Sequence, residues 1–294
     1  MDTSEIIKKI KKIEITTRDL VSELFSGEYH SLFKGQGLEF SEVREYQEGD
    51  SFRQIDWNVS ARHGTPYIKK FEETRELNVI FLVDSSASTL FGTSENLKSE
   101  FITEITAVLS FSALSNNDKV GLLLFTDEIE KYIPPRKGKK SALRILRDIL
   151  YFEPKSGKTS IKTAVQYIYR LIKKRSIIFV ISDFFDVDYT DSLKLLAKKH
   201  DVIALRVIDK AEQDLPDAGL LHLKDPETGK LLTINSSSSK LRTQYKKAAA
   251  EIESRIEENF RRMKIDLVTL RTDKPYAPEL MKFFKFRIRM KNKH

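Results

Sequence analysis

The chain has 294 residues, a formal net charge of +8 and no cysteine. Its 32% charged and 40% hydrophobic residues are typical of a globular protein with an ordinary core. The lack of cysteine excludes disulfides and thiolate-bound zinc. The longest apolar runs, "VIFLV" and "IIFVI", are strand-length and too short to cross a bilayer. We therefore expect a cytoplasmic protein without a membrane span.

The N-terminal part combines one helix with a small irregular subdomain. Isoleucines at helical spacing, with lysines between them, predict a helix over about residues 5–25. Residues 26–76 are rich in Gly, Asp, Glu and Arg and contain no long periodic segment. We interpret residues 1–76 as this helix followed by short strands and loops.

From Asn78 the chain alternates between apolar strands and amphipathic helices. "NVIFLVD" and "SIIFVISD" are continuous apolar runs, as expected for strands buried on both faces. The alternation predicts an α/β fold with a doubly wound, mostly parallel sheet and helices on both faces, over residues 77–280. The other predicted strands are "KVGLLLF", "EIEKYIP" and "DVIALRVI", and the predicted helices cover about 96–115, 139–152, 160–174 and 189–199.

The last part of this domain carries a hairpin insertion near 219–235, "GLLHLKDPETGKLLTI", around a turn with Pro226 and Gly229. A helix over about 240–263, the strand "KIDLVTL" and a final helix from about 276 follow. Residues 281–294 hold six basic and no acidic residues, and this +6 leaves +2 for the rest of the chain. We interpret 281–294 as a solvated basic tail, with a nucleic-acid contact as the alternative.

The stretch "SGKTS", residues 156–160, is similar to the end of a nucleotide-binding phosphate loop. That loop needs a further glycine, which would fall on Phe152, and it must follow a buried strand. The preceding "SALRILRDILYF" instead has helical spacing. We therefore reject the nucleotide hypothesis, and Thr159 needs another role.

Oxygen-bearing side chains follow two of the predicted strands. Asp84, Ser86 and Ser88 alternate where the first strand ends, and Asp183 ends the fourth. In a doubly wound sheet these strands are neighbours at the crevice where ligands bind, and the loop with Thr159 can reach it. An all-oxygen set suits Mg²⁺ or Mn²⁺. The alternative is that these side chains only cap helices and turns.

"DSSAS", the "GKT" threonine and "SDF" resemble the three parts of the metal-ion-dependent adhesion site of von Willebrand factor A domains. The resemblance implies that Asp84, Ser86, Ser88, Thr159 and Asp183 hold the metal. It also implies that a partner's acidic residue completes the coordination shell. The family often has Gly-Gly before the threonine, whereas this chain has Gly157 and Lys158, which leaves the path of that loop open.

The block over residues 33–76 resembles the signature of domain-of-unknown-function family 58, a group of bacterial and archaeal proteins. Members are often encoded beside MoxR-type AAA+ ATPases, so the resemblance implies such an ATPase, or its client, as partner. The matching residues are Gly35, Gly37, Glu39, Arg44, Tyr46, Gly49, Asp50, Arg53, Asp56, Trp57, Ala61 and Arg62.

The same block combines arginines with acidic residues and one tryptophan. Arginine–carboxylate pairs would stabilise irregular backbone, and we expect Trp57 to be a core anchor. The alternative is a docking surface for a partner. Its candidates are Arg44, Arg53, Asp56 and Arg62.

The sequence does not indicate an enzyme. It has no Gly-x-Ser-x-Gly motif, and "DSSAST" lacks the second aspartate of a phosphoaspartyl phosphatase. The five histidines are scattered. We therefore expect a metal-dependent protein-interaction module, with a Mg²⁺-dependent phosphate-ester hydrolase or a nucleic-acid binder using the basic tail as the alternative.

Overall fold

The computed structural model describes residues 38–73, 76–90, 97–224 and 231–291, together with Lys12, Ile13, Ile15 and Thr17. Most of the predicted helix at 5–25 therefore lies outside the described residues, as do Gly35, Gly37 and the hairpin turn with Pro226 and Gly229. Within the described ranges, no helix combines the length and apolar character needed to cross a membrane.

The order of elements follows the predicted alternation, and the predicted ends differ by at most three residues in the main domain. The strands are β1 (Leu38–Glu45), β2 (Tyr67–Glu73), β3 (Asn78–Asp84), β4 (Lys119–Phe125), β5 (Ile129–Arg136), β6 (Ile177–Ser182), β7 (Asp201–Ile208), β8 (Leu220–Lys224), β9 (Leu231–Asn235) and β10 (Asp266–Arg271). The helices are α1 (Trp57–His63), α2 (Lys98–Ser115), α3 (Lys139–Leu150), α4 (Ile161–Leu171), α5 (Thr190–Lys199), α6 (Ser239–Met263) and α7 (Ala277–Lys291).

Six strands form the main sheet in the order β10-β7-β6-β3-β4-β5. All neighbouring pairs are parallel except β4 and β5. The chain therefore winds outward from β3 in one direction and then from β6 in the other, which is the doubly wound order. The predicted fold class is confirmed.

Both faces of the sheet are covered by helices because its central strands are apolar on both sides. Val79, Phe81 and Val83 of β3 pack with α2, α3 and α7 on one face. Ile80 and Leu82, which point the other way, pack with α4, α5 and α6. The central strands thus bury every side chain from Val79 to Asp84, and the sheet is a rigid base for the loops at its ends.

The described part of the N-terminal subdomain is an antiparallel hairpin of β1 and β2 with α1 between them. The prediction that Trp57 is a core anchor is wrong, because the side chain is 70% exposed. Trp57 is the first residue of α1, a helix of seven residues with no buried side chain. A helix that packs no face against a core leaves the side chain of its first residue at the surface.

The prediction of a solvated basic tail over 281–294 is also wrong for residues 281–291, whereas residues 292–294 lie outside the described residues. Residues 281–291 belong to α7 and are most of its length, and Phe284 is 1% exposed in the core. Arg287 lies 2.8 Å from an Asp201 carboxylate oxygen and 3.0 Å from one of Asp266. The basic residues obscured an apolar helical stripe that continues from Leu280 through Phe284 to Ile288.

Candidate metal site at the rim of the sheet

The candidate site lies where β3 and β6 end side by side. The two strands are parallel neighbours, with Val83 opposite Ile181. Asp84 and Asp183 therefore come at the same edge of the sheet, and they are only 1% and 8% exposed. This edge includes the switch point at which the winding direction changes, the usual ligand crevice of such sheets.

Asp84 is held in place by hydrogen bonds to both carboxylate oxygens. The backbone N–H of Ser86 donates to Oδ1 at 2.9 Å, and the Ser182 hydroxyl donates to Oδ2 at 2.8 Å. Burial, and after it the neighbouring charge of Asp183, raise the pKa of Asp84 above its ordinary value. A buried carboxylate with a second carboxylate beside it favours a nearby cation.

A tight turn brings the two serine hydroxyls of "DSSAS" together. The Oγ atoms of Ser86 and Ser88 lie 3.1 Å apart, although the segment is not extended. Residues 87–90 form a helical turn. The helical turn brings the serine hydroxyls close to each other. The alternation of an extended strand, from which we predicted this, is not what the structure shows.

The loop with Thr159 lies against this turn. The backbone N–H of Ala87 donates to the carbonyl of Gly157 at 3.2 Å. Thr159 is half-buried, and the next residue, Ser160, caps the N-terminus of α4. The loop therefore adjoins the one that bears Ser86, and no hydrogen bond of the Thr159 side chain to another described residue is present.

The backbone after Asp183 is strained. Phe184 has a φ of 60°, which is costly for a residue with a bulky side chain. Its ring is buried edge-on against Tyr189 and Phe260, at centroid distances of 5.7 and 5.0 Å. The turn directs the N–H of Phe185 to Asp183 Oδ1 at 3.2 Å, so packing on α6 orients this carboxylate.

Two buried cations adjoin Asp183, and the sequence did not predict either of them. The Lys98 Nζ lies 3.8 Å from Asp183 Oδ2 and 2.5 Å from Glu212 Oε1, and Lys98 is 1% exposed. The Arg206 Nε donates to the Asp183 carbonyl at 3.2 Å. Lys98 thus partly balances the charge of Asp183. No local signal separates Lys98 from a solvated lysine at a helix start.

The donor set fits a hard divalent cation. The described residues contain no group of three or more His, Cys, Asp or Glu side chains that could hold a metal. The rim instead offers two carboxylates with hydroxyl groups beside them. Mg²⁺ and Mn²⁺ accept such oxygen ligands and keep water in the remaining positions, whereas zinc prefers nitrogen and sulfur.

Two exposed apolar side chains follow Asp183 in the chain, and the sequence did not predict them. Phe185 is 44% exposed and Val187 is 79% exposed. Between them, Asp186 accepts a hydrogen bond from the backbone N–H of Ile161 at 2.8 Å. The loop is therefore attached to the start of α4 and presents two apolar groups beside Asp183.

The four docking candidates divide into two pairs. Arg44 lies 2.8 Å from an Asp50 carboxylate oxygen, and Asp56 caps α1 by accepting from the backbone N–H groups of Asn58 and Val59. Arg44 and Asp56 therefore support local structure. Arg53 and Arg62 are exposed and form no ion pair with another described residue. No described contact joins any of the four to the metal site.

The strand order and the two helix layers define the molecule as a doubly wound α/β domain of the von Willebrand factor A-like class. The chain belongs to the family described as "Protein of unknown function DUF58", whose sequence profile matches residues 42–255. The resemblance predicted from the upstream block is thereby confirmed.

Curated relatives match either nearly all of the chain or less than half of it. The "Uncharacterized protein Rv1480" of Mycobacterium tuberculosis is 28% identical over 286 residues, which are 96% of this chain and 90% of that protein. The "Uncharacterized protein YeaD" of Bacillus subtilis is 29% identical over 138 residues, 43% of this chain and 32% of its own length.

Among solved structures, BatB from Bacteroides thetaiotaomicron is 18% identical, with a TM-score of 0.46 over 74% of this chain and 100% of its own. The SpRpn10 VWA domain is 12% identical, with a TM-score of 0.40 over 70% of this chain and 94% of its own. The fold assignment rests on the strand order described above and not on these two likenesses.

Proposed function

We propose that the chain is a metal-dependent protein-interaction module whose rim binds an acidic side chain of a partner protein. The observation that supports this proposal most is the convergence of Asp84, Ser86 and Ser88 with Asp183 at two adjacent strand ends. A bound Mg²⁺ or Mn²⁺ would supply an electrophilic position that a partner's carboxylate can occupy.

Each residue of the rim has a specific task in this proposal. Asp84, Ser86, Ser88, Thr159 and Asp183 would hold the ion directly or through water. Ser182 orients Asp84, and Lys98 limits the negative charge that Asp183 contributes. Phe185 and Val187 are exposed beside the acidic groups, where they would contact apolar groups of the partner.

The partner that we propose is a MoxR-type AAA+ ATPase or its client. The support is membership of the family and the gene neighbourhood that the resemblance implies. An ATPase that presents an acidic side chain on a mobile segment would fit a rim that offers metal and apolar contacts together.

We propose binding without catalysis. Histidine is the most common general base of hydrolases, and the described histidines lie away from the rim. The His63 ring lies 5.1 Å from the Tyr67 ring at a tilted angle, His200 follows α5, and His222 contacts Thr233 in the β8–β9 hairpin. The Mg²⁺-dependent phosphate-ester hydrolase therefore stays as an alternative that the experiment below distinguishes.

The experiment compares Asp84→Asn with Asp191→Asn. Asp191 lies in the first turn of α5, outside the proposed ligand set, and its side chain is 97% exposed, so it is a matched change at a residue that is not expected to hold the metal. Binding of Mn²⁺ is measured by electron paramagnetic resonance. We expect Asp84→Asn to weaken Mn²⁺ affinity by at least about tenfold and Asp191→Asn to leave it unchanged.

The purified MoxR-type ATPase of the same organism is then captured with each protein, with Mg²⁺ or with EDTA. We expect capture by the wild type and by Asp191→Asn in Mg²⁺, and none by Asp84→Asn or in EDTA. Equal Mn²⁺ binding by both variants would contradict the metal site. Mg²⁺-dependent hydrolysis of p-nitrophenyl phosphate that Asp84→Asn abolishes would replace the binding module with the hydrolase.

A further inference from the structure

The strand β10 forms one edge of the main sheet. It pairs with β7 in parallel from Asp266 to Arg271, and among the described residues no strand lies on its other side. Half of the backbone N–H and C=O groups of an edge strand point away from the sheet. The free edge of β10 is therefore a row of hydrogen-bonding groups that can accept a further strand.

A groove of about 800 Å³ runs along this edge, between β10 and α7. Its strand side is lined by three consecutive residues, Leu267, Val268 and Thr269. Successive side chains of a strand point to opposite faces of the sheet. A groove that contacts three in a row must therefore follow the edge itself, where the backbone is accessible.

The helical wall of the groove is cationic and apolar. Lys282, Arg289 and Phe286 lie at spacings that share one face of α7, and Phe286 is 57% exposed. Neither Lys282 nor Arg289 forms an ion pair with another described residue, and Lys285 also lines the groove. Glu279 is the one acidic residue among the described residues that line the groove, so positive charge prevails there.

We propose that the groove binds an extended segment of a partner protein that carries acidic side chains and adds a strand to the free edge of β10. Main-chain hydrogen bonds would give affinity, and alternate acidic side chains would face α7 and give specificity. A second copy of this chain is a poorer occupant, because pairing two identical edges would bring their cationic walls together. This inference does not depend on the metal site.

The first experiment tests the charge of the groove. The probes are two fluorescein-labelled peptides of about eight residues, one alternating Glu with Val and one alternating Lys with Val. Fluorescence anisotropy with the full chain is expected to show binding of the Glu peptide, at least about tenfold tighter than the Lys peptide.

Two double variants locate the binding. Lys282→Glu/Arg289→Glu reverses two exposed charges on the groove wall, and it is expected to abolish binding of the Glu peptide. Lys240→Glu/Lys247→Glu makes the same reversal at the same spacing on exposed positions of α6, and it is expected to keep the wild-type affinity. Equal affinities for the two variants would overturn the assignment to this groove.

The second experiment tests main-chain pairing. The Glu peptide is prepared with N-methyl groups either on its odd or on its even residues. A strand pairs with a neighbour through one edge, so only one of these forms is expected to lose binding, and amides of residues 266–271 are expected to gain protection from hydrogen exchange in the complex.

Equal binding of both methylated forms, or no peptide binding at all, would overturn the proposal. Tighter binding of a single-stranded oligonucleotide, lost in Lys282→Glu/Arg289→Glu and without protection of β10, would identify α7 as a nucleic-acid contact instead.

Discussion

Buried charged side chains next to Asp183 determine the charge balance of the candidate metal site. Lys98 and Arg206 are both less than 3% exposed. Lys98 lies near the Asp183 carboxylate, and Arg206 donates a hydrogen bond to the Asp183 carbonyl. Glu212 completes the group, and burial raises the pKa of this carboxyl. Removing one member of such a group leaves another charge buried without compensation. The rim therefore depends on residues that do not themselves face a ligand.

His200 is a second buried titratable residue, and it lies away from the rim at the end of α5. It is 3% exposed, and neither ring nitrogen has a hydrogen-bond partner among the described atoms. Burial, followed by the charges of Lys199 and Arg175, lowers the pKa of His200 to about 4. The folded protein thus keeps this imidazole neutral at pH values at which the unfolded chain protonates it.

We predict that His200 makes the fold sensitive to acid. Between the unfolded pKa near 6.5 and the folded pKa, the unfolded state binds more protons, so stability falls as the pH falls. From pH 7 to pH 5 the wild type should lose about 2 kcal/mol more free energy of unfolding than His200→Leu. Urea denaturation of both proteins at both pH values measures this difference.

The comparison between two proteins is needed because Asp118 acts in the opposite direction. Burial raises the pKa of Asp118 to about 6, so this carboxyl favours the folded state more as the pH falls from about 6 toward its ordinary value. Asp118 is present in both proteins, and its contribution cancels. Parallel pH profiles for the wild type and His200→Leu would contradict a buried neutral imidazole.

At the scale of elements, β4 and β5 approach each other closely at Gly121. A Cβ atom on Gly121 would lie 3.0 Å from the Ile133 carbonyl oxygen and 3.0 Å from the Pro135 nitrogen. Both are backbone atoms of the neighbouring strand and cannot rotate away. The register of the pair is irregular next to this position, as expected where one strand bends toward a glycine.

We predict that Gly121→Ala separates β5 from β4 and destabilises the fold by about 1–3 kcal/mol. The urea midpoint should decrease while the far-ultraviolet circular dichroism at low urea stays close to that of the wild type. A midpoint equal to or above that of the wild type would mean that β5 can shift outward without cost.

The N-terminal subdomain contains residues that stabilise local structure and residues whose side chains are exposed. Asp56 stabilises α1 through its carboxylate, a contribution of about 1 kcal/mol. Trp57, Arg53 and Arg62 are exposed beside it. The arginine–carboxylate density of this block thus reflects local support at some positions and accessible side chains at others.

At the scale of the whole molecule, α7 closes one face of the sheet. Phe284 fills the core together with Leu280, and Arg287 joins the helix to Asp201 and Asp266 in β7 and β10. We predict that truncation after Leu280 destabilises the protein by at least about 3 kcal/mol, because it removes a buried aromatic ring.

Truncation after Met290 is the matched control, since it removes basic residues but keeps Phe284 and Arg287. It should leave the urea midpoint close to that of the full chain. Equal urea midpoints for the full chain and both truncated proteins would support the solvated tail that the composition predicted. Because of this coupling, charge reversal and not truncation is the suitable test of α7 as a binding surface.

The two proposed surfaces are independent because they use different parts of one sheet. The rim lies at the carboxyl ends of β3 and β6, whereas the groove follows the outer edge of β10, three strands from β3. A partner could occupy both at once only through two separate segments. Variants of Asp84 and of Lys282 should therefore change different measurements.

The sequence by itself determined the fold class, the family and the positions of the strand-end oxygens. "NVIFLVD" and "SIIFVISD" contain the uninterrupted apolar runs "VIFLV" and "IIFVI", which predict strands buried on both faces. The doubly wound order then brings Asp84 and Asp183 to the same edge. These features follow from local periodicity and from a general rule of topology.

Only the tertiary structure decided which charges are buried and which surfaces are open. Lys98 meets Glu212 and Asp183 across a large sequence separation, Trp57 is exposed, and the basic C-terminal segment packs on the sheet. The free edge of β10 likewise exists only once the strand order is known. Burial and charge compensation depend on which distant elements pack together. Residue type and local spacing do not determine that packing.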